Sequence, residues 1–274
     1  MKNNAPISVV LPVYNCERFL SESILSILNQ TFSNFKLIIV DDCSTDGSGD
    51  IVRNFSSKDD RIELIRNTRN LKLANSLNTA ICASNSKYIA RMDADDISAL
   101  NRLELQYDFL EKNQNVVIVG SNMDIIDEDG SSKGCRMYYE TDSRIRDSMF
   151  FYSPFCHPAI MMRSSALDVA GLYRSNFNPA EDYELYFRLG RVGEFANIPK
   201  SLLKYRVVSS SMTNTQIGLM EQMSIQIKKK YFGDAAYPGG KKIKLFIALH
   251  SALANFLPVK LKISIFNILK TLKI

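Results

Sequence analysis

The chain has 274 residues, of which 46% are hydrophobic and 15 are Phe, enough for a full core; a disordered chain or a small disulfide-stapled scaffold is excluded. Its five cysteines (Cys16, Cys43, Cys82, Cys135, Cys156) are scattered without a C-x-x-C pair, and His157 and His250 are its two histidines. That excludes a multi-histidine metal site, argues against zinc, and fits reduced thiols in the cytosol. The net charge is +5, yet residues 241–274 alone hold seven lysines and no acid, so the remainder is net acidic and a uniformly basic nucleic-acid-binding surface is disfavoured.

The first apolar run, Ile7 to Val13 in "ISVVLPVYN", is too short for a signal-peptide core, so no leader is expected and the run reads as a strand. "CERFLSESILSILNQ" follows with Phe19, Ile24, Ile27 and Leu28 at near-helical spacing. Strand "FKLIIVDD" then leads to helix "SGDIVRNFSS", and strand "RIELIRN" to helix "LANSLNTAICAS". The strand-like "KYIARMDADD" precedes the charged helix "NRLELQYDFLEKN" and the apolar strand "NVVIVGS". This rhythm predicts an α/β fold, a doubly wound and mostly parallel sheet with helices on both faces. Beyond residue 120 the pattern loosens: "DIIDEDGSSKG" reads as a hairpin turn, "HPAIMMRSS" as a strand and "EDYELYFRLGRVG" as a helix ending near glycine.

Ligands of open parallel sheets sit beyond the carboxyl ends of the strands. Three acidic groups fall there or within reach: Asp41-Asp42, the Asp93-Ala94-Asp95-Asp96 cluster, and Glu181-Asp182 at the start of a helix. Carboxylates that converge on one crevice require a divalent cation or protonation of one member. Hard oxygen donors without histidine or thiolate point to Mg²⁺ or Mn²⁺, ions that complete their shell with water and substrate phosphates. Any single Asp pair at a strand end can equally be a turn former or a helix cap.

Five stretches, "SVVLPVYN" (8–15), "IIVDDCSTDGS" (38–48), "NLKLANSLNTAI" (70–81), "RMDADD" (91–96) and "AEDYELYFRLG" (180–190), together resemble a family 2 glycosyltransferase of the GT-A type, a likeness running from Ile7 to about Ser211. The resemblance implies an inverting, non-processive enzyme that takes a sugar from a nucleoside-diphosphate donor, uridine being the default base. It places Pro12 and Tyr14 against the nucleotide base and makes Asp42 the carboxylate that accepts a hydrogen bond from it. Asp41 is expected to cap the following turn. Asp93 and Asp95 match the D-x-D pair, the first facing the ribose and the second holding the metal, while Asp96 is expected to cap the next helix. Asp182 matches the catalytic base, with Glu181 in reserve, and Arg188 is expected to be structural.

The sequence departs from the family pattern at three places. Asn70-Leu71-Lys72 stands where relatives often read N-x-G, so Lys72 either reaches the diphosphate or is simply solvated. Val208 stands where relatives often carry a histidine in Y-R-x-H; His157 either substitutes for it or is structural. The processive Q-x-x-R-W motif cannot occur in a chain without Trp, which favours single-sugar addition.

A domain covering 1–215 is expected, followed by a helical, basic tail over 216–274. Within "VKLKISIFNILKTLKI", Leu261, Ile265, Ile268, Leu269 and Leu272 share one face and lysines the other, the pattern of a helix lying in a membrane interface. The alternative is a helix packed on the domain with its lysines solvated. The membrane reading implies a saccharide or polyprenyl-diphosphate-linked acceptor and a cytoplasmic enzyme in peripheral contact with the inner face of the cell membrane. Two rival functions stand beside this one. One is a haloacid-dehalogenase-type phosphatase with Asp93 as nucleophile, and the other a catalytically inactive nucleotide-sugar-binding partner.

Overall fold

The computed structural model describes residues 5–208 and 216–256. Four strands, β1 (Ile7–Val13), β2 (Phe35–Asp41), β3 (Ile62–Arg66) and β4 (Tyr88–Arg91), pair in parallel in the order β3-β2-β1-β4. Their connections are α1 (Glu17–Leu28), α2 (Ser48–Ser56) and α3 (Leu73–Ala83). Side chains alternate across a strand, so Val9, Leu11, Leu37 and Ile39 enter one core and Val10, Ile38, Val40 and Ile89 the other. Burial on both faces is why these strands read as continuous apolar runs.

The second half of the sheet is mixed. The expected strand at 116 runs on as β6 (Val116–Ile126), after the two-residue β5 (Ile97–Ser98) and α4 (Arg102–Lys112). The turn Asp127–Ser131 returns β6 into β7 (Ser132–Arg136), as the hairpin reading expected. The "HPAIMMRSS" strand is shorter than its pattern: His157–Ala159 form a 3₁₀ turn around Pro158, and β8 covers Met161–Arg163. β8 lies antiparallel between β4 and β6, a placement that periodicity within one strand cannot reveal. β9 (Glu194–Arg206) pairs in parallel with β6 and antiparallel with β5.

Helices cover both faces, as expected. α1, α2 and α4 pack on one core, and α3 packs on the other with α5 (Asp142–Met149), α6 (Ser164–Ala170) and α7 (Glu181–Leu189). From residue 216 the described chain forms two helices, α8 (Ile217–Tyr231) and α9 (Lys241–Phe256), joined by turns over 232–240 with a bridge between Asp234 and Tyr237. The Tyr231 ring stacks on Phe187 at 4.8 Å, and its hydroxyl donates to the buried Glu184 Oε1 at 2.7 Å, which fixes α8 to α7. The amphipathic stretch 259–274 lies outside the described residues, as do residues 209–215 beside the expected domain boundary.

Candidate active site

Strand order reverses between β1 and β4, where the helices leave to opposite faces and open a crevice at the carboxyl rim. Register aligns Val13 with Asp41 and Val10 with Arg91, so Tyr14, Asp42 and Asp93 follow directly at that rim. A concavity of about 580 Å³ at the other end of β6 and β9, beside Asn115, Arg163 and Glu194, lies away from these acids.

The turn after β4 gathers the carboxylates. Oxygens of Asp93, Asp95 and Asp96 lie within 4.8 Å of one another. Ser23 on α1 donates to the Asp93 carbonyl at 2.7 Å, fixing the turn from one side. Arg206, at the end of β9, fixes it from the other, with its backbone N–H on Asp96 Oδ1 at 2.8 Å and its Nε on the Asp95 carbonyl at 2.9 Å. Burial and the charge of Asp93 push Asp95 up to about 6. Burial, then the charges of Asp93 and Asp95, hold Asp96 well above the ordinary carboxylate range. Asp96 therefore does not cap α4, whose N-cap is Asn101; it is a buried member of the acidic cluster, and its Oδ2 has no hydrogen-bond partner. Three hard oxygen donors in mutual repulsion, one of them orphaned, fit Mg²⁺ or Mn²⁺.

Part of that repulsion is already relieved by the protein. Arg91, 3% exposed, sets its guanidinium against Asp93. Neither Arg91 nor Arg206 was assigned a site role from the sequence. The available signal was an arginine inside an apolar strand, which is costly unless paired.

Asp41 accepts from the Ser44 N–H at 2.9 Å and closes the turn after β2, as expected. Asp42 is 4% exposed. Its Oδ1 accepts from Asn67 Nδ2 (2.7 Å) and the Leu71 N–H (2.8 Å), and its Oδ2 from the Lys72 N–H (2.9 Å). Asp42 thus pins the loop leading into α3. Lys72 has φ 70° and ψ 167°, a region that is essentially glycine's. Its side chain is exposed, and Tyr14 is 47% exposed at the end of β1, so the ring is free to meet a planar ligand.

On the other wall, Glu181 and Asp182 open α7, where acids are favoured by the helix dipole. Glu181 is 2% exposed with Oε2 unpartnered, and burial together with the charge of Asp182 pushes it up to about 7. Burial also raises Asp182, opposed by backbone N–H groups and by Arg91. Both acids sense the charges of Arg91 and Asp93, so the two walls share one electrostatic neighbourhood. His157 Nε2 lies 2.8 Å from the Tyr173 hydroxyl, and burial, then Arg91, holds its pKa well below the ordinary value, so it is neutral. Arg188 is structural: it pairs with Glu184 and donates to the carbonyls of Ala170, Gly171 and Leu172 at the end of α6. Val208 is half-buried two residues after Arg206.

The sequence matches the family described as "Glycosyl transferase family 2" over residues 8–170. It is 40% identical over 210 residues to the putative glycosyltransferase EpsE of Bacillus subtilis, covering 75% of this chain and 74% of that one. It is 30% identical over 232 residues to the O-antigen biosynthesis glycosyltransferase WbnJ of Escherichia coli, covering 81% and 88%. Among solved structures, S. aureus TarS 1-349 in complex with UDP-GlcNAc superposes with a TM-score of 0.67 at 18% identity over 82% of this chain and 66% of that one. The mannosyltransferase PcManGT from Pyrobaculum calidifontis, in complex with GDP-Man and Mn²⁺, gives 0.66 at 16% identity over 99% and 87%. With its GT-A architecture and acidic rim, this chain belongs to the family 2 glycosyltransferases.

Proposed function

We propose that this enzyme moves a single sugar, with inversion, from a nucleoside-diphosphate donor to a saccharide or polyprenyl-diphosphate-linked acceptor in cell-surface polysaccharide synthesis. The observation that carries the reading is the pair of acidic walls: Asp93, Asp95 and Asp96 at the strand switch, and Asp182 opening α7 within the field of Arg91 and Asp93. The UDP-GlcNAc complex of TarS and the O-antigen role in WbnJ's name support a UDP-sugar and a surface glycan. The GDP-Man complex of PcManGT keeps guanosine as the second base to test. Residues 1–215 carry this chemistry, and 216–274 form an appended basic segment that meets the inner face of the cell membrane.

Tyr14 and Pro12 receive the base, and Asp42 accepts a hydrogen bond from it beyond those it receives from its own loop. Lys72 borders the diphosphate. Asp93 and Asp95, joined by Asp96, would hold Mg²⁺ or Mn²⁺, which when bound neutralises charge on the departing nucleoside diphosphate. Asp182 takes the proton of the acceptor hydroxyl as its oxygen bonds to the anomeric carbon and the bond to the diphosphate breaks on the opposite face. Its burial raises its basicity toward what a base at neutral pH needs. Glu181, held near neutrality, is the reserve proton carrier. Membership of the glycosyltransferase family removes the phosphatase reading.

The test is transfer by purified enzyme across a panel of nucleotide sugars, with Asp182→Asn alongside. The variant should lose about 10²–10⁴ in rate while keeping its thermal stabilisation by nucleotide. Transfer at parental speed removes Asp182 as base. Nucleotide binding without transfer from any donor would identify an inactive partner instead.

A further inference from the structure

α9 presents two faces of opposite character. Inward, Ile247 is buried, the Phe246 ring packs 4.8 Å from Phe151, and Ser251 accepts from Lys229 of α8 at 2.8 Å. Outward, Leu245, Leu249 and Leu253 stand at i, i+4 and i+8, exposed by 60%, 53% and 46%. Three leucines in one stripe form a continuous apolar patch, unlike scattered surface leucines. Lys241 and Lys242 fall at the near end of the same stripe, both exposed. Residues 241–256 contain no acid, and Glu221 of the neighbouring α8 is turned inward to His250 Nε2 at 3.4 Å. The outward surface is therefore apolar and cationic, without a competing negative group on its own helix.

We propose that this face of α9 is a lipid-surface contact, its leucines entering the headgroup region of an anionic leaflet with Lys241 and Lys242 against the lipid phosphates. Charge complementarity selects that occupant: an apolar protein partner would satisfy the leucines and strand the lysines, whereas an anionic leaflet satisfies both. The helix lies in the interface plane, because its inner face is committed to the protein and its 16 residues, about 24 Å at 1.5 Å each, fall short of a hydrocarbon core. Among the described residues no helix is long and apolar enough to cross a membrane. The contact is seated on the enzyme's own fold, distinct from the amphipathic stretch beyond residue 258. It rests on the reading that the acceptor is held in a membrane.

The chain has no Trp, so Leu249→Trp gives a single reporter. In the full chain its emission should shift to the blue on adding vesicles that contain phosphatidylglycerol, and stay unshifted with pure phosphatidylcholine. The Leu245→Ser/Leu249→Ser/Leu253→Ser triple variant should lose about tenfold or more in vesicle co-sedimentation, and Lys241→Gln/Lys242→Gln should weaken the dependence on anionic lipid, the other lysines of the segment keeping the rest. These side chains are exposed, so the variants keep parental thermal midpoints. Turnover on a water-soluble acceptor, measured on the same preparations, should not change; its absence in the parent would count against the transferase reading and leave the lipid result standing. Vesicle binding unaffected by the triple substitution overturns the proposal. So does a blue-shifted reporter before vesicles are added, which would mean that the chain's own terminus covers the stripe. A dimer in light scattering that the triple variant dissolves would assign the face to a second copy and overturn it equally.

Discussion

The guanidinium of Arg91 lies against the carboxylate of Asp93 at the end of β4, with 3% of the arginine side chain exposed. It is a fixed, buried positive charge among acids that otherwise repel. Arg91→Met leaves Asp93 facing Asp95 and Asp96 without its paired guanidinium, Arg206 remaining beside Asp95. Losing one partner of a buried pair costs about 3–5 kcal/mol, and the lower end applies here because Asp93 retains 27% exposure. Urea unfolding should show that loss, with Arg91→Lys intermediate because it keeps the charge and loses the planar fork. An unchanged midpoint in Arg91→Met would mean that the pair adds nothing.

Glu181 makes stability depend on pH in a direction opposite to that of ordinary carboxylates. Burial raises its pKa from 4.5 to about 7, so the folded state holds the proton more tightly than the unfolded chain. Its contribution is therefore present below about pH 4.5 and is lost as pH rises toward about 7. Glu181→Gln cannot ionise. Without metal or donor it should flatten the stability profile across that window and exceed the parent above it by on the order of 3 kcal/mol. Parallel profiles for the two proteins would remove Glu181 as the titrating group.

Lys72 occupies backbone space that suits glycine, with φ 70° and ψ 167°. Such a residue stores roughly 1–3 kcal/mol, and glycine loses about 1 kcal/mol in unfolded-state entropy. Lys72→Gly should therefore gain about 1 kcal/mol, a rise of roughly 2–4 °C in Tm for a domain this size. The Asp42 contact uses the backbone N–H and survives the change. If the ammonium also meets the diphosphate, KM for the donor rises several-fold in the same variant. A stabler protein with unaltered KM would leave the lysine merely solvated.

Asp95 should show opposite effects with and without a cation. In the metal-free protein, burial and the charge of Asp93 hold it at about 6, so its ionised form is destabilising at neutral pH. Asp95→Asn should raise metal-free stability modestly and reduce the extra thermal shift that Mn²⁺ adds to nucleotide. Near 100 times Kd that shift corresponds to about 2.7 kcal/mol. A Mn²⁺-dependent shift of full size in Asp95→Asn would show that the carboxylate is no ligand.

The first four strands and their helices were legible in the sequence because apolar runs and the 3.6-residue period are local properties. The acids at the strand ends were legible for the same reason: each sits just past a run whose end is visible. The placement of β8 between β4 and β6 was not, since strand pairing joins residues far apart in the chain. Asp96 read as a cap because Asp before a helix usually is one. Only tertiary contact shows it buried under the backbone of Arg206, 110 positions away. Sequence alone determined the residue types at the rim, carboxylates without histidine or thiolate beside them. The fold decided which charges neighbour which, through Arg91, Arg206 and the start of α7, because electrostatic energy depends on distance and burial and neither is a property of a linear string.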